Sequence, residues 1–357
     1  MKANSHGGNI YKKAKELGLA ESRLMDFSAN ISPLGLPDHI REAMKEAIDG
    51  VINYPDPDCL DLREAIAKAD GVSQSHITCG NGGADLLYRL AFGLRPKKVL
   101  LPVPAFVEYE EAHEAAGASM VYYRMQKDLR IREDILDFIT EDIDLIILCN
   151  PNNPTGLLTP RELILRILDK AREMGCRLMV DECFLEICKQ EAEYTVKPYV
   201  RSYDNLMILK SFTKLYAMPG VRLGYIICSD PEVIERINRA GQAWSVSHIA
   251  QKAGLCALAL PEYKKAVIAE VAKELSYMKK EFEALPVELY DGQANYLFFR
   301  TPGITDLDTR LEKYGIMIRN CSNYVNLGED YWRVGVRPHQ DNVKLFAALK
   351  TELINPL

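Results

Sequence analysis

From about Pro37 to Ser229, short aliphatic and β-branched runs alternate with amphipathic helical stretches, and few folds accept that alternation. The strand candidates are "KKVLLP", "ASMVYYR", "DIDLIILC", "CRLMVDE", "NLMILK" and "RLGYIICS", with "GADLLYRLAFGL", "FVEYEEAHEAAG", "REDILDFI" and "PRELILRILDKAREMG" as helices between them. In the last of these, Thr159 is the expected N-cap and Pro160 the first helical residue. Strands separated by helices pair in parallel, so a layered α/β sheet is predicted. At 357 residues the chain exceeds the roughly 250 to 300 that a single core serves, and a smaller second unit is expected. A charged helix from about Pro261 to Leu285 leads to it, and "VELYDGQANYLFFRT", "IMIRNCS", "YWRVGVR" and "DNVKLFAALKTEL" give it an α+β pattern. The expected divisions are an N-terminal arm over 1–36 that joins the small unit and the site entrance, a large unit over 37–250, and the connecting helix with the small unit over 251–357.

Net charge narrows the partners, because −6 gives no footing for nucleic acid or an anionic membrane. Nine cysteines are scattered without a CxxC pair or Cys/His cluster, so neither a metal site nor a disulfide framework is expected. "MKANSHGGNIYKK" lacks the apolar core of a signal peptide, and no run approaches about 18 consecutive apolar residues. A cytoplasmic protein with reduced thiols is the expectation.

Chemistry concentrates in "SFTKLYAMPGVRLGY", where Lys214 stands just beyond a predicted buried strand. A buried ammonium costs several kcal/mol unless the amine is paired or used covalently. One use is a Schiff base with an aldehyde cofactor; a lysine alone on a loop is otherwise an ordinary surface ammonium. Its neighbours point to the first reading. Ser211 and Arg222 can both bind phosphate, and the Pro219-Gly220 turn brings the arginine back toward the lysine. A phosphate beside an aldehyde describes pyridoxal 5′-phosphate. Asp181, closing the strand of "VDECF", can keep a pyridine nitrogen protonated; Asn153 in "CNPNNPTG" can donate to the ring oxygen. Asn81, Gly82 and Gly83 in "CGNGGAD" stand before a helix, where backbone amides bind phosphate.

In this order the four segments resemble the class I/II aminotransferase family of pyridoxal phosphate enzymes, over nearly the whole chain from "DFSANISPLG" onward. The resemblance implies a fold type I architecture: a mostly parallel seven-stranded sheet between helices, plus a smaller α+β domain. It implies Lys214 as the Schiff-base lysine, Asp181 as the pyridinium partner, Asn153 at the ring hydroxyl, and Ser211, Arg222 and the Asn81-Gly82-Gly83 amides at the phosphate. Phe106 would lie over the ring. Tyr54, in "NYPDPD", would reach the cofactor phosphate of a neighbouring subunit, which implies a homodimer with shared active sites.

Within the family the chain is similar to both threonine-phosphate decarboxylases and histidinol-phosphate aminotransferases. The opening "HGGNIYKKAKELG" resembles the decarboxylases, in which His6, Gly7 and Gly8, with Asn30, would approach a substrate phosphate. Phe184 stands where the aminotransferases carry a tyrosine, and Arg337 where they carry a small residue. Arg319, Arg333 and Arg337 are the candidate grip on a doubly anionic substrate, the last two expected on one face of a strand. The activity so implied is decarboxylation of O-phospho-L-threonine to (R)-1-aminopropan-2-yl phosphate, in the aminopropanol arm of cobalamin biosynthesis. Three alternatives stay open: histidinol-phosphate or related transamination, O-phosphoserine decarboxylation, and a cofactor-binding regulator without turnover.

Overall fold

The computed structural model describes residues 7–354. Seven strands form one sheet in the spatial order Ile77–Gly80, Gly224–Cys228, Leu206–Ser211, Arg177–Asp181, Leu145–Cys149, Lys98–Val103 and Ser119–Arg124. Only Gly224–Cys228 runs against its neighbours. All six expected strands are present, and Ile77–Gly80, read from the sequence only as the approach to a glycine turn, is the seventh.

Both faces of the sheet are covered, because successive side chains in a strand point to opposite sides. Ile146, Leu148, Leu178, Val180, Leu206 and Ile208 enter one core cluster. Their alternates Leu145, Ile147, Met179, Met207 and Leu209 enter another. Fully apolar strands are thus required here, and the sequence supplies them.

Helix Arg161–Glu173 begins one residue later than expected, with Pro160 as its N-cap and no side-chain cap bond. Thr159 serves elsewhere, donating its backbone N–H to Asn150 Oδ1 at 2.8 Å. The long helix Pro261–Phe282 leads to a four-stranded antiparallel sheet ordered Arg319–Asn320, Tyr331–Gly335, Tyr296–Arg300 and Glu288–Tyr290. Strand Met25–Asp26 of the arm pairs in parallel with Ile316–Met317, and Ser32 N–H donates to Lys214 O at 2.9 Å. That pair is a separate two-stranded sheet, and Gly335 N–H donates to Phe27 O at 2.7 Å, so the arm is tied both to the end of strand Tyr331–Gly335 and to the lysine turn.

Candidate active site

In an α/β sheet the carboxyl ends of the parallel strands share one edge, and the turns there are free to bind ligands. Here those turns carry Asn153, Asp181, Lys214 and Gly83, around a cavity of about 460 Å³ that the arm and the small sheet close from the other side. Lys214, Asp181, Asn153, Ser211, Arg222, Phe106, Gly83, Gly7, Gly8, Asn30, Arg319 and Arg333 all line it. His6 lies outside the described residues.

Lys214 Nζ donates to Thr213 Oγ1 at 2.8 Å and stands 5.5 Å from the Phe184 ring centre. Burial, with the nearby Arg222 and Arg333 cations adding to it, lowers the amine's pKa against the opposing pull of Cys183 and Asp181. A larger neutral fraction makes it a better nucleophile toward an aldehyde. Asp181 is only 7% exposed and accepts from Tyr109 Oη at 2.5 Å on one oxygen and from Cys183 N–H at 2.8 Å on the other. Ser211 Oγ lies 2.8 Å from Thr213 Oγ1, so a hydroxyl chain links the strand end to the lysine amine.

The phosphate end differs in detail from expectation. Asn81 N–H already donates to Asp85 Oδ2 at 2.8 Å, and Gly82 N–H to Gly80 O at 2.8 Å. The residues of this segment that line the cavity are instead Gly83 and Ala84, at the start of helix Gly83–Leu94, where the first-turn amides have no partner within the helix. Gly82 is still required, for a different reason. At φ +86° a Cβ there would meet Arg222 Nη2 at 2.6 Å, so the glycine makes room for the guanidinium.

At the opposite end, Arg319 and Arg333 face each other directly across two antiparallel strands. They are 8% and 6% exposed. Arg333 donates to Asn153 Oδ1 and, at 2.8 Å, to Ser28 O; the Asn30 amide oxygen, oriented toward it, lies 3.2 Å from both Nη1 and Nε. Arg319 donates to Asn323 Oδ1 at 2.7 Å. Every one of these acceptors is neutral, and among the described residues no carboxylate pairs with either arginine. Like charges placed opposite in a sheet destabilise it, and buried charges without counter-ions more so. An anionic ligand removes both penalties.

Of the residues expected at this cavity, Asn81, Gly82 and Arg337 do not line it, and Tyr54 is expected at the site of a neighbouring subunit. Arg337 falls beyond strand Tyr331–Gly335, so the two-residue period that would align it with Arg333 has ended. Its Nε donates to Asp341 Oδ2 at 3.0 Å and its Nη1 to Asp26 O at 3.1 Å, which binds the arm to the last helix. Tyr54 is 80% exposed on the outside of the chain, stacked on Trp244 with centroids 4.5 Å apart. Conversely, Tyr109, Thr213, Ser28, Ala84 and Tyr324 line or support the cavity without having been singled out. Thr213 was signalled by adjacency to Lys214; nothing local marks Tyr109.

The family model for aminotransferase class I and II matches residues 22–348. The chain belongs to the class I and II aminotransferase family. Among relatives in this family, threonine-phosphate decarboxylase of Salmonella typhimurium is 35% identical over 354 residues, 98% of this chain and 97% of that protein. Histidinol-phosphate aminotransferase from Clostridium acetobutylicum superposes with a TM-score of 0.87 at 28% identity, covering 92% of this chain and 99% of that one. L-threonine-O-3-phosphate decarboxylase from Porphyromonas gingivalis superposes with a TM-score of 0.81 at 26% identity, covering 91% and 98%. Pyridoxal 5′-phosphate is the cofactor of class I and II aminotransferases, and the residues here fit it. An amine of lowered pKa at the cavity wall suits the aldehyde, a hydrogen-bonded carboxylate suits the ring nitrogen, and Arg222 with the first-turn amides of Gly83 and Ala84 suits the phosphate. No helix among the described residues is long and apolar enough to cross a membrane.

Proposed function

We propose that this chain is a pyridoxal-phosphate-dependent decarboxylase of O-phospho-L-threonine, yielding (R)-1-aminopropan-2-yl phosphate for the aminopropanol arm of cobalamin biosynthesis. The observation that carries the reading is the opposed pair Arg319 and Arg333, two buried guanidiniums with only neutral acceptors, as a substrate with two anionic ends requires. The threonine-phosphate decarboxylase similarity over nearly the full length of both chains supports the same substrate. Phe184 favours it further, since the position carries no hydroxyl.

When bound, the cofactor supplies a conjugated ring that accepts the electron pair released at the substrate Cα. Lys214 would hold the group through its amine, and the same amine is placed to carry a proton to the substrate Cα. Asp181 would hold a proton at the ring nitrogen, Asn153 would meet the ring oxygen, and Ser211, Arg222 and the Gly83 amide would hold the phosphate. Arg319 and Arg333, with Asn30 and the Gly7-Gly8 segment, hold the substrate's carboxylate and phosphate. By fixing both ends they decide which bond at Cα breaks, and each tenfold preference needs about 1.4 kcal/mol.

The functional form we propose is a cytoplasmic homodimer in which Tyr54 reaches the partner's site. Tyr54 stacks on Trp244, and Ile48, Val51, Ile52 and Leu60, close to Tyr54 in sequence, are likewise exposed; apolar side chains left open in this way are suited to burial against a second copy. Sedimentation should give a dimer at micromolar concentration; a monomer there refutes this part.

Incubation of the reconstituted protein with O-phospho-L-threonine should release carbon dioxide and leave the cofactor as the aldehyde. Accumulation of pyridoxamine phosphate with a 2-oxo acid, or faster turnover of histidinol phosphate, overturns the proposal in favour of transamination.

A further inference from the structure

We propose that Tyr109 is the positioning residue for Asp181: its hydroxyl holds the carboxylate in the orientation that serves the cofactor's ring nitrogen. This rests on the function proposed above.

Asp181 is a buried carboxylate with no cation within ion-pairing distance among the described residues. Its orientation therefore depends on hydrogen bonds, and the described donors are Tyr109 Oη at 2.5 Å and Cys183 N–H at 2.8 Å, one on each oxygen. Two donors on two oxygens fix the plane of the group. The backbone amide comes with the strand end. The hydroxyl comes from a different element, helix Glu108–Ala115, and so depends on one side chain.

Tyr109 is itself held rigidly. It is fully buried, His113 Nδ1 lies 2.7 Å from its carbonyl, and Phe106 packs edge-on with centroids 5.6 Å apart. Burial, reinforced by the neighbouring Asp181 charge, pushes the phenol's pKa well up, so it remains a donor throughout the working pH range. Phe106 faces the cavity and Tyr109 the carboxylate behind it, so one helix start carries both the aromatic wall and the support of Asp181.

The test separates a positional role from a merely structural one by deleting the atom Asp181 serves. Apoenzyme affinity is measured by absorbance titration for the wild type and Tyr109→Phe, with pyridoxal 5′-phosphate and with its 1-deaza analogue, in which carbon replaces the ring nitrogen. Tyr109→Phe should bind pyridoxal 5′-phosphate ~10- to 100-fold more weakly, the loss of one charge-assisted hydrogen bond, and should bind the analogue as the wild type does. Equal penalties with both ligands, or none with either, overturn the inference. Tyr109→His retains a donor and should lose less affinity than Phe; an equal loss also overturns it. Should wild-type protein fail to bind pyridoxal 5′-phosphate, or Lys214→Ala keep a borohydride-trapped adduct, the functional reading fails and not this one alone.

Discussion

Lys210→Met tests whether the charges buried behind the active-site strand stabilise the protein. Lys210 is fully buried, and its ammonium lies 3.3 Å from Glu186 and 4.0 Å from both Asp70 and Glu191. Lys197 joins Asp70 at 2.6 Å, and Lys264 joins Glu191 at 2.8 Å and Glu186 at 3.4 Å. Methionine nearly matches the stem but leaves those three carboxylates facing two ammoniums. Removing one partner from a buried ionic group costs about 3 to 5 kcal/mol, and the two surviving cations favour the lower figure. With a urea dependence near ~3 kcal/mol per molar, the midpoint should fall by about 1 M, read through the fluorescence of buried Trp332. The pH dependence supplies the sharper check. Burial acts to raise the Asp70 and Glu186 carboxyls, and Lys210, the largest opposing influence, brings them below their usual range. A carboxylate held low in the folded state stabilises above its unfolded pKa, and that contribution fades as pH falls through the folded value. Lys210 itself is raised by these carboxylates against burial, so its share is present below about pH 10 and is lost as pH rises past its folded value. The penalty of the substitution should therefore be full from roughly pH 5 to 10 and shrink toward pH 3. Equal midpoints at pH 7, or a penalty unchanged between pH 3 and pH 7, refute the reasoning.

Arg333→Lys keeps the charge but not the fork that meets Asn153, Ser28 and Asn30, and should raise KM for phosphothreonine ~10- to 100-fold in steady-state assays. Arg337→Ala should leave KM within about twofold, because its contacts are Asp341 and Asp26 O, while thermal melting registers a loss near ~1 kcal/mol. In apoenzyme, Lys214 should react with an amine-directed reagent at pH 7 well before the surface lysines, as its lowered pKa leaves more free amine; peptide mapping reads the order of labelling.

Five of the seven strands were legible because burial on both faces demands unbroken apolar runs, as in Leu206–Leu209, and the half-exposed edge strand Ser119–Arg124 was legible from its β-branched and aromatic residues. Ile77–Gly80 was not, since four residues ending in Cys and Gly carry little β signal and owe their state to pairing with Gly224–Cys228. The convergence of Lys214, Asp181 and Asn153 on one cavity could be read because strand ends announce themselves by turn chemistry. Tyr109 could not, its partner standing 72 residues away. Arg337 was misplaced by extending a strand's period past its end at Gly335, and Asn81 by counting an amide that Asp85 had already taken.

Leu206–Ser211 also works as a partition. Lys210 projects to one side, where carboxylates keep its proton on, and four residues later Lys214 opens on the other, where burial and cations draw its proton off. An aldehyde reacts only with an unprotonated amine. A fully buried lysine and a half-buried one thus occupy one short stretch of chain, and the side of the sheet each amine faces favours carbonyl chemistry at Lys214 over Lys210.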